Sequence, residues 1–104
     1  MHTISIAIMV FGLSACSPSN QYKDATEFET TVRSWQLVEK SERDAIAILS
    51  GKNFSCKDRS CNREARGIVC NQRQRITLIV GEDQKVKEAV VWRLPGEQLP
   101  GVCL

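Results

Sequence analysis

Partway along the chain the spacing of apolar residues changes, and that change sets the layer arrangement. From Ala25 onward Phe28, Val32, Trp35 and Val38 recur at steps of four, three and three, which is one face of a helix over roughly residues 25–39. "SERD" at 41–44 places a serine three residues before a carboxylate, a helix-starting cap, and Ala45, Ile46, Ile48 and Leu49 follow. A second helix is expected over about residues 42–50, with Gly51 as a left-handed cap. After the cysteine-bearing loop "CKDRSC" the period falls to near two. "ARGIVCNQ", "RITLIV" and "KVKEAVVWRL" are rich in β-branched residues, and "GEDQ" joins the last two as a hairpin turn. Ile76, Leu78 and Val80 share one side of their strand, and Val86, Val90, Trp92 and Leu94 are expected to line one face of the next. Pro95 and Pro100 keep the tail from continuing as a strand. The fold class is α+β: two N-terminal helices packed on one face of a three-stranded antiparallel meander, within residues 25–104.

Ahead of the domain, seven of the ten residues from Ile4 to Leu13 are large and apolar. That is too short to cross a bilayer but matches the apolar segment of a secretory signal. The segment closes on Leu13-Ser14-Ala15-Cys16, and its only positive groups are the amino terminus and His2. The tetrapeptide resembles the lipobox of bacterial lipoproteins. The resemblance implies removal of residues 1–15 as a signal peptide, a diacylglycerol thioether on Cys16 and acylation of its amine. With Ser17 rather than an aspartate following, it also implies sorting to the outer membrane, facing the periplasm. Several acyl chains, at about 0.8 kcal/mol per buried CH₂, would hold such a chain firmly. Residues 16–24, polar and containing Pro18, are expected to form a lipidated tether.

Without residues 1–15 the chain has 89 residues, enough for one domain with a small core. Cys56, Cys61, Cys70 and Cys103 are an even number in a chain expected in an oxidising compartment, which points to two disulfides. Three pairings are open. Cys56–Cys61 with Cys70–Cys103 is favoured, because the first pair shares one short loop and the second ties the C-terminus to the sheet. The rival, a four-cysteine zinc site, usually shows C-x₂-C knuckles, whereas the spacings here are four, eight and thirty-two residues.

After Cys16 there is no histidine, which excludes Ser-His-Asp and Cys-His nucleophiles; no G-x-S-x-G, phosphate-binding glycine loop or H-E-x-x-H occurs. Of the paired acids, Glu27 and Glu29 suit a helix start, and Glu82 and Asp83 a solvated turn, where carboxyl pKa values have little reason to move; Asp58/Glu64 is a third pair. No enzymatic activity, cofactor or metal is expected. Net charge is only +2, but seven basic residues face two acidic ones between Lys52 and Arg75. Arg59, Arg63, Arg66, Arg73 and Arg75 are the candidate contacts, since guanidinium groups clamp phosphate or carboxylate bidentately. Beside anionic lipid such residues are attracted by about 1 kcal/mol each. Nucleic acid is not an expected partner, because the chain is exported and no aromatic residues interleave with the arginines. Trp35 and Trp92 are expected as core anchors; a surface Trp92 would instead mark a partner groove.

"KSERDAIAILSGKNFSC" is similar to the turn into and out of the second helix in the SmpA/BamE family, and "LIVGEDQKV" to its strand–turn–strand. The resemblance spans residues 35–92. It implies the same helix, helix, meander order and an accessory role beside an outer-membrane complex. The leading functional expectation is an envelope-anchored lipoprotein acting by binding. It would serve either as an accessory or assembly subunit of an outer-membrane complex or as a lipid or cell-wall contact factor. The alternative is a small periplasmic inhibitor or immunity-type protein that blocks an enzyme with "CKDRSC" as a wedge.

Overall fold

The computed structural model describes residues 21–67 and 70–103; Cys16, the signal segment and residues 16–20 of the tether lie outside them. Of the residues that composition assigns to the tether, Gln21 and Tyr22 bond to the sheet at Ala65, Cys70 and Gln72, while Lys23 and Asp24 bond to Glu27 at the start of α1. Helix α1, Ala25–Ser34, starts where the Asp24 side chain accepts the Glu27 N–H at 2.9 Å. It buries Phe28 and Val32 as the period requires, but it stops five residues short of the expected end. Gln36 turns left-handed at φ 54°. The next backbone groups bond to the last strand instead of continuing the helix, Glu39 N–H to Val86 O at 2.7 Å and Val86 N–H to Lys40 O at 2.8 Å. Leu37, at 2 % exposure, therefore enters the core in place of Val38, at 50 %.

Helix α2, Glu42–Gly51, is separate from α1 and begins as its capping sequence indicates, with Ser41 Oγ accepting the Asp44 N–H at 3.1 Å. Ala45 and Leu49 are buried. The left-handed residue beyond it is Asn53, φ 72°, and not Gly51, which stays inside the last turn. Asn is among the few side chains that tolerate that conformation. No helix among the described residues is long and apolar enough to cross a membrane.

The sheet has more strands than the expected three. β1, Ser55–Lys57, and β2, Ser60–Ala65, form a hairpin; β3 is Cys70–Val80, β4 is Val86–Val91, and β5 is Gly101–Cys103. All pairings are antiparallel, in the order β1-β2-β3-β4, with β5 pairing the start of β3. The α+β class and the single helical layer stand; the three-strand count does not. "CKDRSCNREA" looks like a loop because its outward positions are polar, yet Cys61 and Ala65 are buried while Asn62 and Glu64 face solvent. "ARGIVCNQ" is not one strand, since β2 ends at Ala65 and β3 begins at Cys70. The tail breaks into a short 3₁₀ turn at Pro95–Glu97, but Gly101–Cys103 rejoins the sheet.

The turn "GEDQ" links β3 to β4 as expected, but the register shifts after it: Val80 pairs with Val86, and Ile79 with Glu88. One extra residue on β4 reverses the inside–outside alternation. Val86 and Val91 are buried, whereas Val90, Trp92 and Leu94, expected beside Val86, are 36–39 % exposed. The core is built from Phe28, Val32, Leu37, Ala45, Leu49, Phe54, Cys61, Ile76, Leu78, Val86 and Val91 between the helices and one face of the sheet.

Cys56 and Cys61 are bridged, as favoured from their spacing, and face each other in register across the hairpin with Cα atoms 3.9 Å apart. Cys70 is likewise disulfide-bonded, and the pairing of β3 with β5 sets it opposite Cys103. With Cys56, Cys61 and Cys70 all in disulfides, the four-cysteine zinc alternative fails.

At the β2–β3 end the inner face is polar. Arg63 donates through Nε to Gln74 Oε1 at 2.7 Å and through a terminal nitrogen to Lys52 O at 3.0 Å, with its guanidinium 4.3 Å from the Phe54 ring centre. Gln74, 1 % exposed, donates to Gln72. Gln72 accepts the Tyr22 N–H and donates to the Tyr22 carbonyl, both at 2.9 Å, so a side-chain amide serves as a strand partner for the incoming chain. Tyr22 stacks on Phe28 at 4.9 Å, and Gln21 donates to Ala65 O and Cys70 O.

Candidate functional site

With both helices on the core face, the opposite face of the sheet is uncovered by any described residue. Alternation and register decide what it carries. Odd-numbered positions of β3 place Arg73, Arg75, Thr77 and Ile79 there; Glu64 and Asn62 of β2 lie opposite Arg73 and Arg75, and Val90 and Glu88 of β4 lie opposite Thr77 and Ile79. Trp92 N–H bonds to Arg75 O at 3.0 Å, which sets the indole beside Arg75. The Arg75 guanidinium lies 4.5 Å from the Trp92 ring centre, and its Nε donates to Asn62 Oδ1 at 2.7 Å. A shallow depression of about 300 Å³ has Asn62, Glu64, Arg73, Arg75 and Trp92 in its lining. Ile79, Val90 and Trp92, exposed at 46, 39 and 36 %, form an apolar stripe beside the arginines.

The five arginines singled out from the sequence do not form one patch. Arg73 and Arg75 share the open face, and Arg66 is exposed just after β2. None of these three is in an ion pair with a described carboxylate. Arg63 is on the core side, occupied by Gln74, Lys52 and Phe54. Arg59 is exposed but bound at 3.0 Å to Glu42 of α2, whose hydrogen bond and charge raise its already high pKa.

Arg59 also sits, with Asp58, at the tip of the β1–β2 hairpin, both left-handed at φ 69° and 51°, the two-residue turn that suits strand twist. The Arg59 carbonyl accepts the Leu78 N–H at 2.8 Å. "CKDRSC" is thus a hairpin tied back at its tip to α2 and β3. Among the paired acids, Glu27 Oε1 accepts the Lys23 N–H, and Glu29 pairs with Arg33 and Arg93. Asp83 departs from the expectation for a solvated turn: the Lys87 ammonium and the Lys85 N–H hold its carboxyl below the ordinary range.

Ile79, Val90 and Asn62 escaped the sequence reading. The signal was present: "ITLIV" and "AVVW" carry apolar residues in both phases of the alternation, which a sheet with one fully polar face does not need. Trp35 is a half-buried core neighbour, edge-on to Phe54 at 6.0 Å, so the two tryptophans part company as core anchor and surface residue.

A basic–aromatic surface on the uncovered face of the sheet suits binding of another molecule. No protein-family model matches the chain, and neither curated proteins nor solved structures give a significant match.

Proposed function

We propose that this chain is an envelope lipoprotein, anchored through acylated Cys16 at the outer membrane and facing the periplasm, that acts by binding. It would be an accessory or assembly subunit whose contact surface is the open sheet face. The observation that carries this reading is Arg75 stacked on exposed Trp92, with Arg73, Ile79 and Val90 beside it and no described carboxylate paired to either arginine. Arginine and tryptophan are over-represented where protein contacts concentrate their free energy. The fitting partner is an envelope protein with an acidic, partly apolar surface. The lipobox resemblance and the oxidised cysteines support an extracytosolic setting. The second disulfide of this reading is Cys70–Cys103, supported by their opposition in register. The inhibitor alternative gains nothing from the hairpin, whose tip is tied back.

A photo-crosslinking residue at Thr77, on the open face, should give an adduct with an envelope protein in cells, and Arg75→Glu should abolish it. The same probe at Arg43, on exposed α2 surface, should give none. Equal labelling from both sites, or indifference to Arg75→Glu, would refute the surface assignment. Intact mass tests the anchor: a chain retaining Met1 without acyl groups would end the lipoprotein reading.

A further inference from the structure

The chain enters the domain at one end of the sheet, and that end is built to hold it. Gln21 donates to Ala65 O at 3.1 Å and to Cys70 O at 2.8 Å, bridging the end of β2 and the start of β3. Both main-chain groups of Tyr22 bond to the Gln72 side-chain amide, and its ring stacks on Phe28. Gly67 makes the fit possible, because a Cβ there would collide with Cys70 O and the Gln21 amide.

The free tether is therefore five peptide steps, from Cys16 to Gln21, and not the nine to Ala25 that composition suggests. Five steps span at most about 18 Å, whatever their conformation. β3, Cys70–Val80, runs away from the entry for about 33 Å at strand spacing. Both hairpin tips, Asp58–Arg59 and the turn after Val80, lie at its far end. With Cys16 acylated, the far end cannot be the one that meets the bilayer: Gln21 would then stand about 33 Å above the surface, beyond the reach of the tether.

The charges of the entry end suit a place near headgroups. Lys23, Arg66 and Arg73 are exposed there, and none is in an ion pair with a described carboxylate. Asp24 and Glu27 are compensated by N–H groups at the start of α1, and Glu97 is paired with Arg93. Glu64 is the exposed acid opposite Arg73. Guanidinium groups take phosphate oxygens in pairs.

We propose that the tether-entry end of the sheet, through Lys23, Arg66 and Arg73, rests on the anionic phospholipid surface in which Cys16 is anchored. β3 then stands away from the bilayer, and the open face looks sideways along it. The inference rests on the anchor reading. It places Arg75, about 17 Å along β3 from Cys70, where proteins embedded in the same membrane can meet it.

The test uses the acylated full chain, its acyl groups verified by intact mass, in nanodiscs of phosphatidylcholine and phosphatidylglycerol in equal parts with a trace of lipid bearing a gadolinium chelate on its headgroup. Relaxation of the Gly67 and Asn71 amides should be enhanced about tenfold or more over that of Glu82 and Gln84, which lie about 33 Å further from the surface. Inserting about twelve Gly and Ser residues after Pro18 removes the length constraint. The enhancement should then persist within about twofold, because the basic end is itself attracted to the lipid. Arg66→Glu with Arg73→Glu in that long-tether chain should lower it about fivefold or more. Equal enhancement at both ends of β3 would overturn the proposal, since the domain would then lie flat or tumble. So would an enhancement lost on lengthening alone, which would leave a tether and no lipid contact. A chain without acyl groups would remove the anchor reading and this orientation with it. None of these readouts needs a protein partner, so loss of the Thr77 adduct leaves the orientation standing.

Discussion

Truncating Arg63 to alanine should be among the most damaging single changes to an arginine in this chain, although the sequence groups Arg63 with surface contacts. The side chain makes two charge-assisted hydrogen bonds, to Gln74 Oε1 at 2.7 Å and Lys52 O at 3.0 Å, each worth about 1.5–3 kcal/mol. Its guanidinium lies 4.3 Å from the Phe54 ring centre, worth about 0.5–1 kcal/mol more for a half-buried cation. Truncation also takes a donor from buried Gln74, in the cluster that holds Tyr22. These contributions overlap, and water will re-enter part of the site, so about 3 kcal/mol is expected. For a domain of this size that is roughly 15 °C in Tm. Arg75→Ala is the matched control: it loses one bond to exposed Asn62 and an exposed stacking contact, about 1 kcal/mol or less. Urea denaturation of both variants at fixed pH reads the difference directly. Equal stabilities would mean that Arg63 is solvated like its neighbours and that the polar cluster does not hold the N-terminal entry.

Gln36→Gly should stabilise the fold by about 0.5 kcal/mol, because the position is exposed and left-handed at φ 54°, where glycine has no Cβ penalty; thermal melts check it. Replacing Cys56 and Cys61 together by alanine should cost about 2 kcal/mol for so short a loop, whereas Cys70 and Cys103, if non-reducing peptide mapping recovers them joined, should cost about 3–4 kcal/mol. The Asp83 carboxyl, lowered by Lys87 and the Lys85 N–H, adds stability above the unfolded carboxylate value near about 4. That contribution is lost as pH falls through its lower folded value. Lys87, raised chiefly by Asp83, adds stability below the unfolded lysine value near about 10.4 and loses it as pH rises through the raised folded value. Asp83→Asn should lower the Lys87 pKa in an NMR titration; an unchanged value would show that the pair does not form in solution.

The elements that local chemistry controls are legible in the sequence: the Ser41 cap, the "GEDQ" turn, the helical face of Phe28 and Val32, and the Cys56–Cys61 pair. Those that differ were settled by partners distant in sequence. Helix α1 could have run past Ser34, but the backbone of Glu39 and Lys40 does better against Val86. β2 looks like loop because its outward positions are polar and Arg63, which faces inward between Cys61 and Ala65, is charged; Arg63, Gln72 and Gln74 meet one another and Tyr22 there instead of a hydrocarbon layer. The candidate site depends on the same kind of non-local event. A single extra residue in β4 turns Val90 and Trp92 outward, and early termination of α1 leaves Val38 half exposed near Ala89. Composition reports neither, since one follows from where a register slips and the other from the backbone of Glu39 and Lys40 bonding to Val86. Without the bulge, Trp92 would face the helices and Arg75 would lack its aromatic neighbour. The outward turn of Trp92 and the exposure of Val38 are therefore two results of how β4 begins, and removing Lys87 to restore the alternation should disturb both together.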